Sequence, residues 1–264
     1  MTDECPHISK TELYELRHKA ELPLLFICVL VNFASISALI ILTVYFDSFG
    51  IAYYIAFGYI IVRLFLDFGH SLSVTRLNSV KITVEQFPDT YKWVRLCAKA
   101  LSLKKVPDLY VRQLGGEISS FSSNFFFKNY IQISAEIFET KDEDTIKFFI
   151  AHEMAHIAFN HTKLWYNLCI IISRYIPFLY AALSRTTVYN CDNVAKKLCP
   201  QGIDGLYMLL VGNKLFNQID KNNFIKQSLM TRGWFEFYAN LTSDQPLPVR
   251  RIPAIYGKIK QRIF

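Results

Sequence analysis

Leu24 to Phe46 is a run of twenty-three residues without a charged side chain, and no other feature restricts the fold so sharply. At about 1.5 Å of rise per residue, a helix of that length spans the ~30 Å hydrocarbon layer of a bilayer. The run is too long for the apolar core of a signal peptide, and no small-residue cleavage site follows it. It reads as a transmembrane helix. A second apolar run extends from Ile51 to about Leu66 and is interrupted by Arg63, which could reach the interface along its own aliphatic stem. Asp47-Ser48-Phe49-Gly50 forms a tight link between the runs, so residues 24–69 make a helical hairpin. A buried soluble helix is the other reading of the second run, whose uncharged stretch is short. Lys10, Arg17 and Lys19 precede the hairpin, Arg63, Arg76 and Lys81 close or follow it, and the link has no Lys or Arg. That distribution places both flanks in the cytoplasm.

Composition agrees with a chain that meets lipid. Apolar residues make up 52% and charged residues 19% of 264, against a charged share of about 25% in ordinary globular chains. The net charge of +7 is spread out, although Arg250, Arg251, Lys258, Lys260 and Arg262 crowd the C-terminus. These five suit a solvated helical face or contact with anionic headgroups. No nucleic-acid recognition motif is present, so nucleic acid is not an expected partner. None of the six cysteines forms a CxxC pair, and they read as reduced thiols of a cytoplasmic catalytic domain.

Residues 1–23 form a polar cytoplasmic segment with a short helix from Thr11 to Glu21. Beyond Glu85 the chain becomes globular. Phe87 to Leu103 has helical periodicity, with Trp93, Leu96, Cys97, Ala100 and Leu101 able to share a face. Leu109 to Arg112, Ile118 to Phe127 and Tyr130 to Ser134 read as strands punctuated by Gly115-Gly116 and Lys128-Asn129, which predicts a small antiparallel sheet. Acidic residues at 142–144 open a further helix, favourably for its dipole.

That helix contains His152-Glu153-Met154-Ala155-His156. Two histidines four positions apart project from one helix face, so both imidazoles can bind one zinc ion. Glu153 then serves as general base toward a zinc-bound water, the arrangement that makes H-E-x-x-H a metallopeptidase signal. A pair of hydrogen-bonded core histidines is the plainer reading. Against it, burying two imidazoles among Ile146, Phe149, Ile150, Ile157 and Phe159 is costly without a ligand or partner. His161 misses by one residue the third histidine of the metzincin spacing and reads as a polar group supporting the site from behind.

Four stretches occur in order: FFIAHEMAHIAFNHTKL, SSFSSNFFFKNYIQIS before it, and LSRTTVYNCDNVAKKLCPQG and LTSDQPLPVRRI after it. Together they resemble the membrane zinc metallopeptidases of the HtpX and CAAX-protease type, over roughly residues 70–257. The resemblance implies a mostly helical α+β, gluzincin-like fold for residues 70–264 behind the transmembrane hairpin. It also implies that an edge strand at Ser119, Ser120, Phe121 and Ser122 pairs with an extended peptide or membrane-protein substrate. Ser184, Arg185, Tyr189 and Asp192 match the family's later helix, but Val188 stands where the family has its third zinc ligand, a glutamate. Asp244 stands where the family has a histidine near the C-terminus. Zinc needs three protein ligands. Asp192, the nearest carboxylate, or Cys191, a softer ligand, could complete the set if the helix shifted, with Asp204, Asp220, Glu236 and Asp244 the other carboxylates beyond residue 161. A weak two-histidine site and a site without metal are the alternatives. A zinc endopeptidase and a pseudopeptidase that binds peptides without turnover both follow from this pattern.

Trp165 to Leu183 is a third apolar run, containing Arg174 and Pro177. If it crossed the bilayer, the motif helix and the Val188 helix would lie on opposite sides. It therefore reads as a broken or re-entrant hairpin against the membrane, with a buried core segment as the alternative. Helices are expected over Ile203 to Phe216, Asn223 to Asn240 and Pro248 to Lys260, with Phe224, Phe235 and Phe237 in the core.

Overall fold

A computed structural model describes residues 5–45, 50–125, 128–140, 142–176 and 178–263. The chain opens with α1 (Lys10–Glu15), which starts at a reciprocal cap: Glu12 N–H donates to Ser9 Oγ, and Ser9 N–H donates to the Glu12 carboxylate. Two long helices follow, α2 (Glu21–Tyr45) and α3 (Gly50–Leu77). Both are long and apolar enough to cross a membrane. Most of their large apolar side chains lie uncovered by protein, Phe33 at 71% and Ile51 at 79% exposure among them. The uncharged surface of α2 beyond Glu21 suits an apolar surrounding, whereas α3 carries the exposed Arg63–Asp67 pair toward its C-terminal half. The expected link falls mainly on residues 46–49, outside the described residues.

The sheet comprises β1 (Val80–Lys81), β2 (Asp108–Arg112), β3 (Ser120–Phe125) and β4 (Lys128–Ser134), in the order β1-β2-β4-β3. It is mixed, which corrects the antiparallel expectation. β4 returns from its hairpin with β3 into the centre and runs parallel to β2, Leu109 opposite Ile131 and Val111 opposite Ile133. Tyr130 to Ser134 are all buried, and a strand covered on both faces takes a central position. Lys128 and Asn129 belong to β4 rather than to the turn, and residues 126–127 are outside the described residues.

Helix α4 (Pro88–Ala100) buries Val94, Cys97, Ala98 and Ala100, and the short α5 (Ala135–Phe138) leads away from β4. α6 (Glu143–Ala158) is the core element. Asp142 caps it by accepting from Asp144 N–H and Thr145 Oγ1, and Phe148, Ile150, Ala151, Met154 and Ala155 are fully enclosed. The sheet and α4 cover one side of α6, and α8 (Leu179–Leu198) covers the other. Between α8 and the C-terminal helices, a 3₁₀ stretch from Pro200 to Tyr207 lies directly on α6. Contact is so close that a Cβ on Gly202 would collide with the Asp144 carbonyl oxygen. Only glycine permits this approach.

The third apolar run is broken into α7 (Leu164–Cys169), a 3₁₀ turn at Ser173–Tyr175 and the start of α8; Pro177 is outside the described residues. Tyr166, Ile170 and Leu183 pack with Cys28, Leu24 and Leu25 in a small second core that docks α2 on the domain. Asn32 strengthens it, donating to Leu168 O and accepting from Ile172 N–H.

The C-terminal expectations need revision. Ile203 to Phe216 is mainly the 3₁₀ stretch followed by α9 (Met208–Val211). The single helix expected over Asn223 to Asn240 divides into α10 (Lys221–Met230) and α11 (Trp234–Thr242), because the chain leaves helical geometry at Thr231 and turns at Gly233. The division swings α11 outward, so Phe224 is buried while Phe235 (78% exposed) and Phe237 (45%) are not. α12 (Pro248–Ile255) stops before Gly257, whose positive φ of 72° suits glycine. All six cysteines are free thiols.

Candidate metal centre

Helix α6 presents His152 and His156 one turn apart, their ring centroids 5.2 Å from each other. The opposing α8 brings up Cys191: one ligand atom from each of His152, His156 and Cys191 lies within 4.8 Å of the other two. Val188, one turn earlier on α8, is buried and offers no donor atom. Of the two substitutes expected from sequence, Cys191 therefore stands with the histidines.

Asp192 is occupied otherwise. Its two oxygens accept from Arg251 Nε and Nη2 at 2.8 and 2.7 Å, a bidentate buried pair. Burial alone would raise its carboxyl pKa, but the Arg251 guanidinium and the His152 contact hold it at about 2. His152 Nδ1 lies 2.9 Å from Asp192 Oδ1, at charge-pair distance though poorly directed for a hydrogen bond. An anion there favours the proton on Nδ1 and leaves Nε2 with its lone pair.

His156 is directed by a longer chain. Its Nδ1 lies 3.0 Å from His161 Nδ1, and His161 Nε2 lies 2.9 Å from Glu21 Oε1. Glu21 also accepts from Asn190 Nδ2 at 2.6 Å and pairs with Arg17 at 3.2 Å. Burial opposes its charge, yet His161, Arg17 and Asn190 together lower its pKa, so it is an acceptor only. His161 Nε2 must then carry the proton. Burial lowers the His161 pKa against the opposing pull of Glu21 and so favours the neutral ring; in that form its Nδ1 accepts, His156 Nδ1–H donates, and His156 Nε2 is left bare. Burial also pushes the His156 imidazole well below its usual range, with His152 and His161 acting in the same direction. Each histidine of the motif is thus set by a carboxylate, one directly and one through a second imidazole.

Glu153, buried beside them, accepts a 2.7 Å hydrogen bond from Ser120 Oγ. Ser120 opens β3, the sheet's outer strand, which pairs only with β4 among the described strands. Of the other residues expected to bind substrate, Phe121 packs edge-on against Tyr130, Ser122 stands opposite Ile131, and Ser119 precedes the strand and bonds to Ser134. The remaining carboxylates are engaged elsewhere. Asp204 meets Lys221 and Tyr256, Asp220 caps α10, Glu236 folds over Gly233, and Asp244 is exposed with its charge felt at Arg185.

Two participants escape a reading of the sequence. Arg251 looks like one more C-terminal cation, although its spacing from Ile252 and Ile255 puts it beside the buried stripe of α12. Glu21 gives no signal at all, because it meets His161 across 140 positions of chain.

Two imidazoles and a thiol form a donor set that zinc accepts. Burial, with Glu153 and Asp192 adding to it, pushes the Cys191 thiol well up. A cation among these carboxylates would reverse that shift and favour the thiolate. Residues 86–168 match the model of peptidase family M48. The M48 segment runs from α4 through β2, β3 and β4 into α7 and contains H-E-x-x-H, which supports a peptidase. It stops short of α8 and α12, so Cys191, Asp192 and Arg251 lie outside it. No curated protein and no solved structure matches the chain.

Proposed function

We propose that this chain is a membrane-anchored zinc metalloendopeptidase in which His152, His156 and Cys191 hold the metal and Glu153 is the general base. The observation that carries the proposal is the convergence of Cys191 on the two histidines, beside the ligand position that Val188 cannot fill. Zinc, when bound, supplies Lewis acidity toward water and the scissile carbonyl. Glu153 takes a proton from the attacking water and delivers it to the leaving amide nitrogen, while the Ser120 hydroxyl holds its carboxylate in place. The open edge of β3 receives an extended peptide, or an unfolded stretch of a membrane protein, by strand addition.

The M48 match supports the reaction class. Ser184, Arg185, Tyr189 and Asp192 on α8 support the finer resemblance to the HtpX and CAAX-protease type. α2 and α3 provide the anchor, and the Lys and Arg distribution around them supports a cytoplasmic catalytic domain. Purified chain is expected to contain close to one zinc per molecule and to cleave unfolded polypeptide. Glu153→Gln should retain zinc and lose cleavage. Metal-free protein that remains inactive when zinc is added would sink the reading, and zinc-loaded but inactive wild type would turn it into a peptide-binding protein.

A further inference from the structure

We propose that the groove between α11 and the C-terminal tail is a docking site for anionic phospholipid headgroups, with α11 seated in the membrane interface. A cavity of about 510 Å³ opens there, and Arg232, Arg250, Lys258, Lys260 and Arg262 line it without any carboxylate. None of these five cations is in an ion pair among the described residues. Glu236 folds over Gly233 at the rim, and Asp192, already paired with Arg251, acts on the lining Tyr189 from behind. Asn240 also lines the space. It is 5% exposed, and its Oδ1 has no partner. A buried amide without a partner is costly. Because its oxygen and nitrogen ends are interchangeable by a flip, the same group can donate to an incoming anion. An anion therefore compensates the five cations and accepts from the Asn240 amide nitrogen once that end faces the groove.

The neighbouring helix identifies the anion as a lipid. Residues 234–239 of α11 are all exposed, with Trp234 at 69% and Phe235 at 78%. Trp234 stacks on Tyr238 at 5.7 Å, and Met230 at the end of α10 is 80% exposed. Trp and Tyr beside Lys and Arg are the chemistry of the bilayer interface, where rings sit at headgroup level and cations meet phosphate. A free phosphate would engage the cations and leave the aromatic surface in water. The tail is also fixed near the start of the membrane-suited α2, since His18 Nε2 bonds to Gln261 O at 3.0 Å, three residues before Glu21 begins that helix. The histidine centre takes no part, so the site stands apart from the peptidase reading.

The test uses the full chain with Trp93→Phe and Trp165→Phe, which leaves Trp234 as the reporter, in nanodiscs of phosphatidylcholine with a minor fraction of phosphatidylglycerol. Brominated phosphatidylglycerol is expected to quench Trp234 several-fold more than an equal amount of brominated phosphatidylcholine. Adding Arg232→Gln, Lys258→Gln, Lys260→Gln and Arg262→Gln should bring the two to parity. All four positions are exposed, so the fold survives. Equal quenching by both lipids before these changes, or a preference that persists after them, overturns the proposal. Loss of the preference on adding inorganic phosphate or an RNA oligonucleotide at constant ionic strength overturns it too, in favour of a soluble anion or a nucleic acid.

Discussion

Glu21 decides which nitrogen of His156 is bare, although it touches neither His156 nor the metal position. Replacing it with Gln keeps the volume and changes one oxygen to a donor. The single oxygen left on the substituted side chain is claimed by Asn190 and Arg17, so the new amide hydrogens face His161 Nε2. The proton order along the chain then reverses, and His156 Nε2 becomes protonated. Glu21→Gln should therefore weaken zinc binding about 10–100-fold, the usual range for an outer partner. Nitrogen NMR of the zinc-free protein labelled in histidine should show the His156 proton moved from Nδ1 to Nε2. Unchanged tautomer and unchanged affinity would mean that the chain does not set the ligand. Cys191 makes a sharper demand. Cys191→Ala should cost more than about 100-fold in zinc affinity, beyond that outer-partner range. Val188→Glu in the Cys191→Ala background should restore much of it, because the carboxylate would enter from the preceding turn of the same helix; competition against a chelator measures both.

Between α8 and α12 the Arg251–Asp192 ion pair acts beside a hydrogen bond from Lys196 Nζ to Ile255 O at 2.7 Å. Arg251→Met leaves the Asp192 carboxylate buried without its partner, a loss of about 3–5 kcal/mol, seen as earlier denaturation; adding Asp192→Asn should recover part of it. The elements differ in how plainly the sequence announces them. α2 and α6 are legible because each is specified locally, one by unbroken hydrocarbon and the other by an acidic cap and a ligand spacing. Parallel pairing of β2 with β4 is not, since strand order depends on which strand is covered on both faces. The division between α10 and α11 is hidden for a similar reason: Phe235 and Phe237 have helical spacing whether the helix turns inward or outward. In the metal centre, His152, Glu153 and His156 are visible as a motif, and Cys191 as one of two substitutes. The choice of Cys191 over Asp192 depends on Arg251, which reaches Asp192 from 59 positions away.

The whole chain is less modular than its layout of two apolar helices followed by a globular domain suggests. α2 supplies Glu21 to the metal centre, and its opening turns cover Tyr166, Ile170 and Leu183. A version lacking residues 1–77, which removes both membrane-suited helices, should therefore bind zinc as weakly as Glu21→Gln and aggregate through the exposed second core. Calorimetric zinc titration and light scattering test the two halves of that expectation; a soluble fragment with full affinity would show the helix to be only an anchor. Ser120 raises a related matter of kinetics. The same hydroxyl that belongs to the open edge of β3 also holds the carboxylate of Glu153. On the proposed function, substrate capture and proton transfer would share one residue, so variants along this edge are expected to move KM and kcat together.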